Sequence, residues 1–318
     1  MAFRDIRKQR KWLSTEELRL LALALIILGL LFAANLALVR VLPSGEWLYQ
    51  RWSGARAFLV EIIELSHGVK GGRLMPEGTL DVLINTAGPY STDIARQTQE
   101  RVYGRPAFSS EYTYVLNDPF FILLLYSPLA LITDFNLARA IWMLAAEVIL
   151  IGIALLVLNL SEWEPPRWLY ILLLGFGLFQ FLSLNALVTG TPAIFLTFLY
   201  LNILLALRSH SDELVGVMLS LVAYQWEVGG LFFLFILFFA FTNRRWGVLA
   251  GLGMALFVLL VVSFLVNAGW GLPYIRAVLS VVSWVKPDPG VYPHDVAPKS
   301  KISSRPGCHD RIGDHPFP

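Results

Sequence analysis

The sequence is short of charge and of cysteine. Only 15% of its 318 residues are Asp, Glu, Lys or Arg, against about a quarter in soluble domains. The 25 basic and 23 acidic side chains leave a net charge of +2, so there is no electrostatic footprint for nucleic acid. Cys308 is the one cysteine; it excludes an internal disulfide, and no Cys/His spacing marks a structural zinc site. The cluster Cys308, His309, Asp310 and His315 has metal-ligand residue types but lies in a segment expected to be disordered. There is no Asp-x-Asp pair, Gly-rich phosphate loop, Walker motif or His-Glu-x-x-His, which argues against a nucleotide-sugar enzyme working through a metal-bound diphosphate.

What the chain has in abundance is apolar sequence. Hydrophobic residues make up 56% and the mean hydropathy is +0.62, values of an integral membrane protein. The expected fold is all-α, a polytopic transmembrane helical bundle. The uncharged run Leu20–Val39 spans roughly 30 Å as a helix, enough for a bilayer core. Arg4, Arg7, Lys8, Arg10 and Lys11 precede it and keep residues 1–19 cytoplasmic, so the chain after Arg40 emerges outside.

Seven further runs follow: Pro119–Ile132, Ala140–Leu160, Trp168–Val188, Ala193–Leu207, Val215–Tyr224, Val228–Phe241 and Gly247–Val266. If all crossed, Arg244 and Arg245 would lie outside, against the positive-inside rule. A re-entrant Trp168–Val188, broken near Gly175 or Gly177, leaves seven crossings and brings Arg208, Arg244 and Arg245 inside. The bundle is assigned to 119–266 and an outer interfacial helix to 267–285. The segment Lys286–Pro318, rich in proline and without apolar periodicity, reads as a disordered tail.

The outer loop 40–118 is too long for a plain connection. Trp47, Leu48, Trp52, Ala55, Phe58, Leu59, Ile62 and Ile63 recur at helical spacing, the pattern of an amphipathic helix lying on the membrane face. A second helix is expected from Ser91 or Thr92 to Tyr103, where Gly104 and Pro106 stop it. Between them His67–Gly88 reads as a mobile Gly-rich insertion.

Ionisable residues near bilayer depth are costly unless used. Glu46 follows helix 1 at the membrane surface and has the position of a general base toward a hydroxyl; it equally suits the first turn of a helix as a solvated carboxylate. Asp93 carries the same pair of readings. Asp118, before Pro119, is either a site residue or the N-cap of the next helix. Glu147, inside an apolar run, is either functional or half of an interhelix hydrogen bond. Arg51, Arg56 and Arg96 have the planar fork that grips a phosphate, or are the solvated faces of two helices. Gln225 and Glu227 lie between two short apolar runs, beside Trp226, which also fits a membrane anchor belt. Tyr49, Trp52, Asp118, Gln225 and Glu227 complete the candidates for substrate or interface contact.

The order of these features resembles the GT-C glycosyltransferases. Three stretches, Trp52-Ser53-Gly54-Ala55-Arg56-Ala57-Phe58-Leu59, Pro89-Tyr90-Ser91 with Gln97-Thr98-Gln99, and Val102-Tyr103-Gly104-Arg105-Pro106, resemble glycosyltransferase family 87 in particular. The resemblance covers roughly residues 15–275. It implies transfer of a sugar, mannose by analogy, from a polyprenyl-phosphate donor to a glycan or glycolipid acceptor at the outer face of the plasma membrane. It implies no cofactor and no metal ion. On this likeness Glu46 is the general base, with Asp93 as the alternative, and Arg51, Arg56 and Arg96 hold the donor phosphate. The chain departs from the family pattern at Glu46, where Asp is usual; at Thr189-Gly190-Thr191, where Gly-Gln is usual; and at Gln225-Trp226-Glu227, where a Lys is often found. The family continues with further helices where this chain has its polar tail, so a shortened C-terminus is expected. These departures keep a second function open, a non-catalytic, lipid-binding scaffold.

Overall fold

The computed structural model describes residues 15–42, 44–66, 88–108 and 111–284. The basic N-terminus, most of the His67–Gly88 insertion, the 286–318 tail and its Cys/His cluster lie outside the described residues. Among the described residues there are twelve α-helices and no strand, as the all-α expectation requires.

Helix α1 (Thr15–Val41) is 27 residues long, roughly 40 Å. It packs through Phe32, Leu36 and Val39 on Ala140 and Met143 of α5 (Phe135–Ser161), and Asn35 Nδ2 donates to Glu147 Oε2 at 3.1 Å. Glu147 is thus half of an interhelix hydrogen bond. The outer segment supplies α2 (Glu46–Ser66) and α3 (Thr92–Tyr103). Both of α3's expected limits hold: Ser91 precedes it, and Gly104 ends it at φ 70, a left-handed turn that glycine takes without a Cβ penalty. Leu48, Arg51, Trp52, Ala55 and Phe58 of α2 are buried. Its apolar stripe therefore packs against protein, chiefly α4 (Phe120–Ala130), rather than resting on lipid.

The remaining helices are α6 (Arg167–Phe179), α7 (Phe181–Thr189), α8 (Ala193–Arg208), α9 (Asp212–Val222), α10 (Trp226–Thr242), α11 (Trp246–Val266) and α12 (Gly271–Trp284). The chain reversals gather at two ends of the bundle. At one end Arg208 pairs with Glu162, and Arg245 meets His210 and lies 3.4 Å from Asp212. At the other end Arg139 donates from Nη1 to Leu42 O (2.8 Å) and from Nη2 to Val188 O (2.7 Å), while Gly190 packs on Leu48.

Two topological expectations change. The α6–α7 pair is not re-entrant: Tyr170 near its start shares a cavity wall with Glu162 and Arg208, whereas its last turn meets Arg139 and Leu48 at the opposite end. Its 45° bend falls at Gln180, where extended backbone (ψ 148) separates the helices; Gly175 and Gly177 lie within α6. The element that stays at one end is α4. Phe120 meets Phe58 at 4.7 Å, and Trp52 Nε1 donates to Leu129 O (3.1 Å) and Ile132 O (3.2 Å), so α4 tracks α2 along its whole length. With 11 residues it reaches roughly 16 Å, half a bilayer core. Arg208, Arg244 and Arg245 stay inside, since one non-crossing run has replaced another, while Arg139 and Arg167 exchange sides.

By length and composition three helices can each span a bilayer: α1, α5 and α11. The bent pair makes a fourth. The apolar stretches Ala193–Arg208 and Glu227–Thr242 are shorter. The tightest crossing joins α9 to α11, where a Cβ on Gly216 would stand 2.3 Å from Val248 O and one on Gly251 2.4 Å from Glu213 O. Small residues there let the two backbones touch.

Candidate active site

At the Arg139 end a polar cavity of about 290 Å³ lies among α2, the 112–118 segment, the start of α8, the α9–α10 junction and α12. Arg51 and Asp118 form its charged floor. Arg51 Nε stands 2.7 Å from Asp118 Oδ2, and both side chains are only 3–4% exposed. Arg51 Nη2 donates to Asp118 Oδ1 at 3.2 Å, and Nη1 donates to Trp47 O at 3.0 Å. Burial by itself would lower the Arg51 pKa, but the Asp118 carboxylate together with Tyr126 and Tyr224 outweighs it and raises the value above the ordinary one. Asp118 is not a helix cap: Pro119 occupies that position and makes no side-chain cap bond. Its backbone carbonyl accepts from Tyr90 Oη at 2.9 Å. Burial, then the Asp118 charge, raises the Tyr90 pKa, so that phenol stays protonated.

Gln225 and Glu227 line the opposite wall, with Thr191, Tyr224 and Tyr274. Glu227 is exposed, and together with burial it raises the pKa of Tyr112 across the cavity. Below lies a second cavity of about 340 Å³, walled by apolar side chains of α4, α5, α8 and α9. Tyr224 borders both. Leu125, on the wall of the apolar cavity, is 55% exposed, so this wall is also part of the protein's surface.

The sequence candidates therefore divide. Arg51, Asp118, Gln225 and Glu227 converge. Glu46 is in the first turn of α2, half-buried, accepting from Ser44 Oγ at 3.1 Å; it precedes the cavity residue Trp47 but is not itself among the lining residues. Tyr49 and Trp52 are 5.7 Å apart in an aromatic cluster with Phe135. Arg56 lies over the Trp52 ring and donates to Ile132 O at 3.4 Å. Asp93 and Arg96 face each other at 3.8 Å on the exposed side of α3, with Glu100 3.7 Å from Arg96. Neither Arg56 nor Arg96 reaches the cavity.

Tyr112, Asn117 and Tyr274 line the cavity without having been singled out in the sequence. Nor was Arg139, which is 1% exposed and ties three backbone segments together. An arginine at the mouth of an apolar run was a readable signal; the tyrosines were not, because only the fold brings them together. Among the described residues no three His, Cys, Asp or Glu side chains are grouped to hold a metal ion.

The chain matches no curated protein and no solved structure. The sequence profile of glycosyltransferase family 87 matches residues 114–285, more than half of the chain. The matched stretch includes Asp118, Gln225 and Glu227 but begins after Glu46 and Arg51. A polar cavity at one end of a multi-pass bundle, next to an apolar cavity that shares Tyr224 with it, accompanies that match: the chain belongs to glycosyltransferase family 87 and is a membrane glycosyltransferase.

Proposed function

We propose that the chain transfers a sugar, mannose by family resemblance, from a polyprenyl-phosphate donor to a glycan or glycolipid hydroxyl at the extracytoplasmic face of the plasma membrane. The observation that carries this reading is the junction of the two cavities at Tyr224. A lipid-linked sugar is amphiphilic in the same sense, with its prenyl chain in the apolar cavity and its phosphate and sugar in the polar one. The exposure of Leu125 on the apolar cavity's wall suits a donor that never leaves the bilayer. The arginines at the far end, Arg208, Arg244 and Arg245, favour a cytoplasmic location for that end, which puts the polar cavity outside.

The acceptor oxygen attacks the anomeric carbon, the bond from that carbon to the phosphate oxygen breaks, and the prenyl phosphate leaves with the electron pair. Arg51 is the one cation among the described residues that line the cavity and offers charge stabilisation to the leaving phosphate. The acceptor proton passes to a carboxylate. Both Asp118 oxygens are engaged by Arg51, whereas Glu46, beside the cavity residue Trp47, accepts only from the Ser44 hydroxyl among the described residues. The family resemblance makes Glu46 the proposed base, with the lining carboxylate Glu227 as the alternative. Family membership favours this enzyme over a non-catalytic scaffold.

The test is sugar transfer by the full chain in proteoliposomes, from radiolabelled decaprenyl-phosphate mannose to octyl α-mannoside. Glu46→Gln should lower the rate by about 100- to 10,000-fold while donor binding persists, and Asp93→Asn should change it little. A wild-type rate for Glu46→Gln, with loss in Glu227→Gln, would move the base to the cavity wall.

A further inference from the structure

Residues 112–114 form a segment whose three successive carbonyls each accept a side-chain hydrogen bond. Tyr103 Oη donates to Tyr112 O (3.2 Å), Gln99 Nε2 to Thr113 O (2.6 Å) and Gln50 Nε2 to Tyr114 O (3.1 Å). Upstream, Arg105 grips Glu111 through bonds of 2.8 and 2.7 Å, and Phe108 N donates to the same carboxylate at 2.9 Å. Tyr114 is held at φ 49, a left-handed conformation that costs a non-glycine residue energy and persists where its surroundings impose it.

All this fixes one exposed ring. Tyr112 is 43% exposed, lies 5.2 Å from the half-buried Trp47 and 5.0 Å from Tyr114, and lines the polar cavity together with Trp47. The Tyr112 hydroxyl and the Trp47 indole N–H have no hydrogen-bond partner among the described residues. A pre-set aromatic wall with unused donors suits a ligand that has an apolar face and a polar rim. A pyranose is such a ligand: its axial C–H groups meet the negative face of an aromatic ring, and its hydroxyls meet Asn117, Thr191 and Gln225 on the same cavity lining. Among the described residues the charged lining side chains are Arg51, Asp118 and Glu227, and with Arg51 already paired to Asp118 the excess charge there is negative.

We infer that Tyr112 and Trp47 form the acceptor subsite, an aromatic wall that stacks an uncharged pyranose and disfavours an anionic one. The assignment rests on the reading of the chain as a lipid-donor sugar transferase. It places the acceptor on the outer side of the polar cavity, away from the apolar chamber that takes the prenyl chain.

The test combines kinetics with direct contact, on the full chain in nanodiscs. In the transfer assay Tyr112→Ala should raise the acceptor KM for octyl α-mannoside about tenfold and move kcat at saturating acceptor far less; Tyr112→Trp should restore the KM. An exposed ring with no side-chain hydrogen bond is not needed for folding, and gel filtration of each variant checks this. Saturation-transfer NMR should show contact to the C–H protons of methyl α-mannoside, weakened in Tyr112→Ala, and stronger contact for methyl glucoside than for methyl glucuronide. Equal KM values for wild type and Tyr112→Ala, or preferred contact with the glucuronide, would overturn the subsite. Tyr112-dependent contact without sugar transfer from any polyprenyl phosphate would uphold the subsite and overturn the donor reading.

Discussion

Replacing Asp118 by Asn keeps the shape of the side chain but leaves the Arg51 guanidinium buried without its counter-charge. Both side chains are 3–4% exposed and touch at 2.7 Å, so water from the cavity replaces the lost partner only in part. At about 4 Å between charge centres and an effective dielectric constant near 20, the lost attraction is roughly 4 kcal/mol. Removing one partner of a buried pair costs about 3–5 kcal/mol, and the Tyr90 bond survives because it goes to the Asp118 backbone oxygen. The double replacement Arg51→Met with Asp118→Leu removes both charges and fills similar volume, so it should be far milder than either single change, near neutral in the best case. Unfolding by SDS titration in mixed micelles, followed by tryptophan fluorescence, gives the four free energies of the cycle. A coupling of about 3 kcal/mol is expected. Additivity within about 0.5 kcal/mol would refute the claim that the pair is a structural floor of the cavity.

Three further outcomes follow from the fold. In a Cys308→Ser background, Asp134→Cys should label from the same side as Glu100→Cys and Asn267→Cys, and Glu164→Cys from the other; Asp134 labelling opposite Glu100 would mean that α4 crosses, and opposite Asn267 that the α6–α7 pair does not. Gly216→Ala should destabilise the bundle by about 1–3 kcal/mol through overpacking at the α9–α11 contact, whereas Gly253→Ala, with nothing within 4 Å of its new Cβ, should be close to neutral in the same SDS titration. The Arg105 hydrogen bond, with help from Phe108 N–H, holds the Glu111 carboxyl below its ordinary pKa. The pair's contribution is thus present above the unfolded pKa and disappears as pH falls through the lower folded one. Amide exchange at Phe108 should accelerate only below the usual carboxylate range, and Arg105→Gln should bring that onset to higher pH.

The elements most legible in the sequence were those that end on local chemistry. Gly104 stops α3 whatever surrounds it, and the Leu20–Val39 run sits within α1 because length and apolarity leave no alternative. The placement of α4 was hidden because a short apolar run has the same composition whether it crosses a bilayer or lies along another helix. The Trp52 bonds to Leu129 and Ile132 decide that, and they join positions about eighty residues apart. The charge rule could not help, since exchanging the non-crossing element leaves Arg208, Arg244 and Arg245 inside and moves Arg139 and Arg167 in opposite directions. In the site, Arg51, Asp118, Gln225 and Glu227 were legible as costly polar residues beside apolar runs. Tyr112 and Tyr274 were not, because aromatic residues near a membrane surface are ordinary until the fold gives them a cavity.

The Asn35–Glu147 bond sets a vertical ruler for the molecule. Phe32, Leu36 and Val39 of α1 meet Ala140 and Met143 of α5 through apolar side chains, surfaces that tolerate a slide of one helical turn at little cost. Besides Arg139's bond to Leu42 O just past α1, the Asn35–Glu147 pair resists it. A slide of roughly 5.4 Å would strand the Glu147 carboxyl in hydrocarbon and leave Asn35 without its acceptor. The polar pair therefore indexes α1 against α5 in the axial direction. Because the chain passes from α1 to Glu46 in a few residues, that index also fixes the depth at which the carboxylate sits relative to the membrane surface.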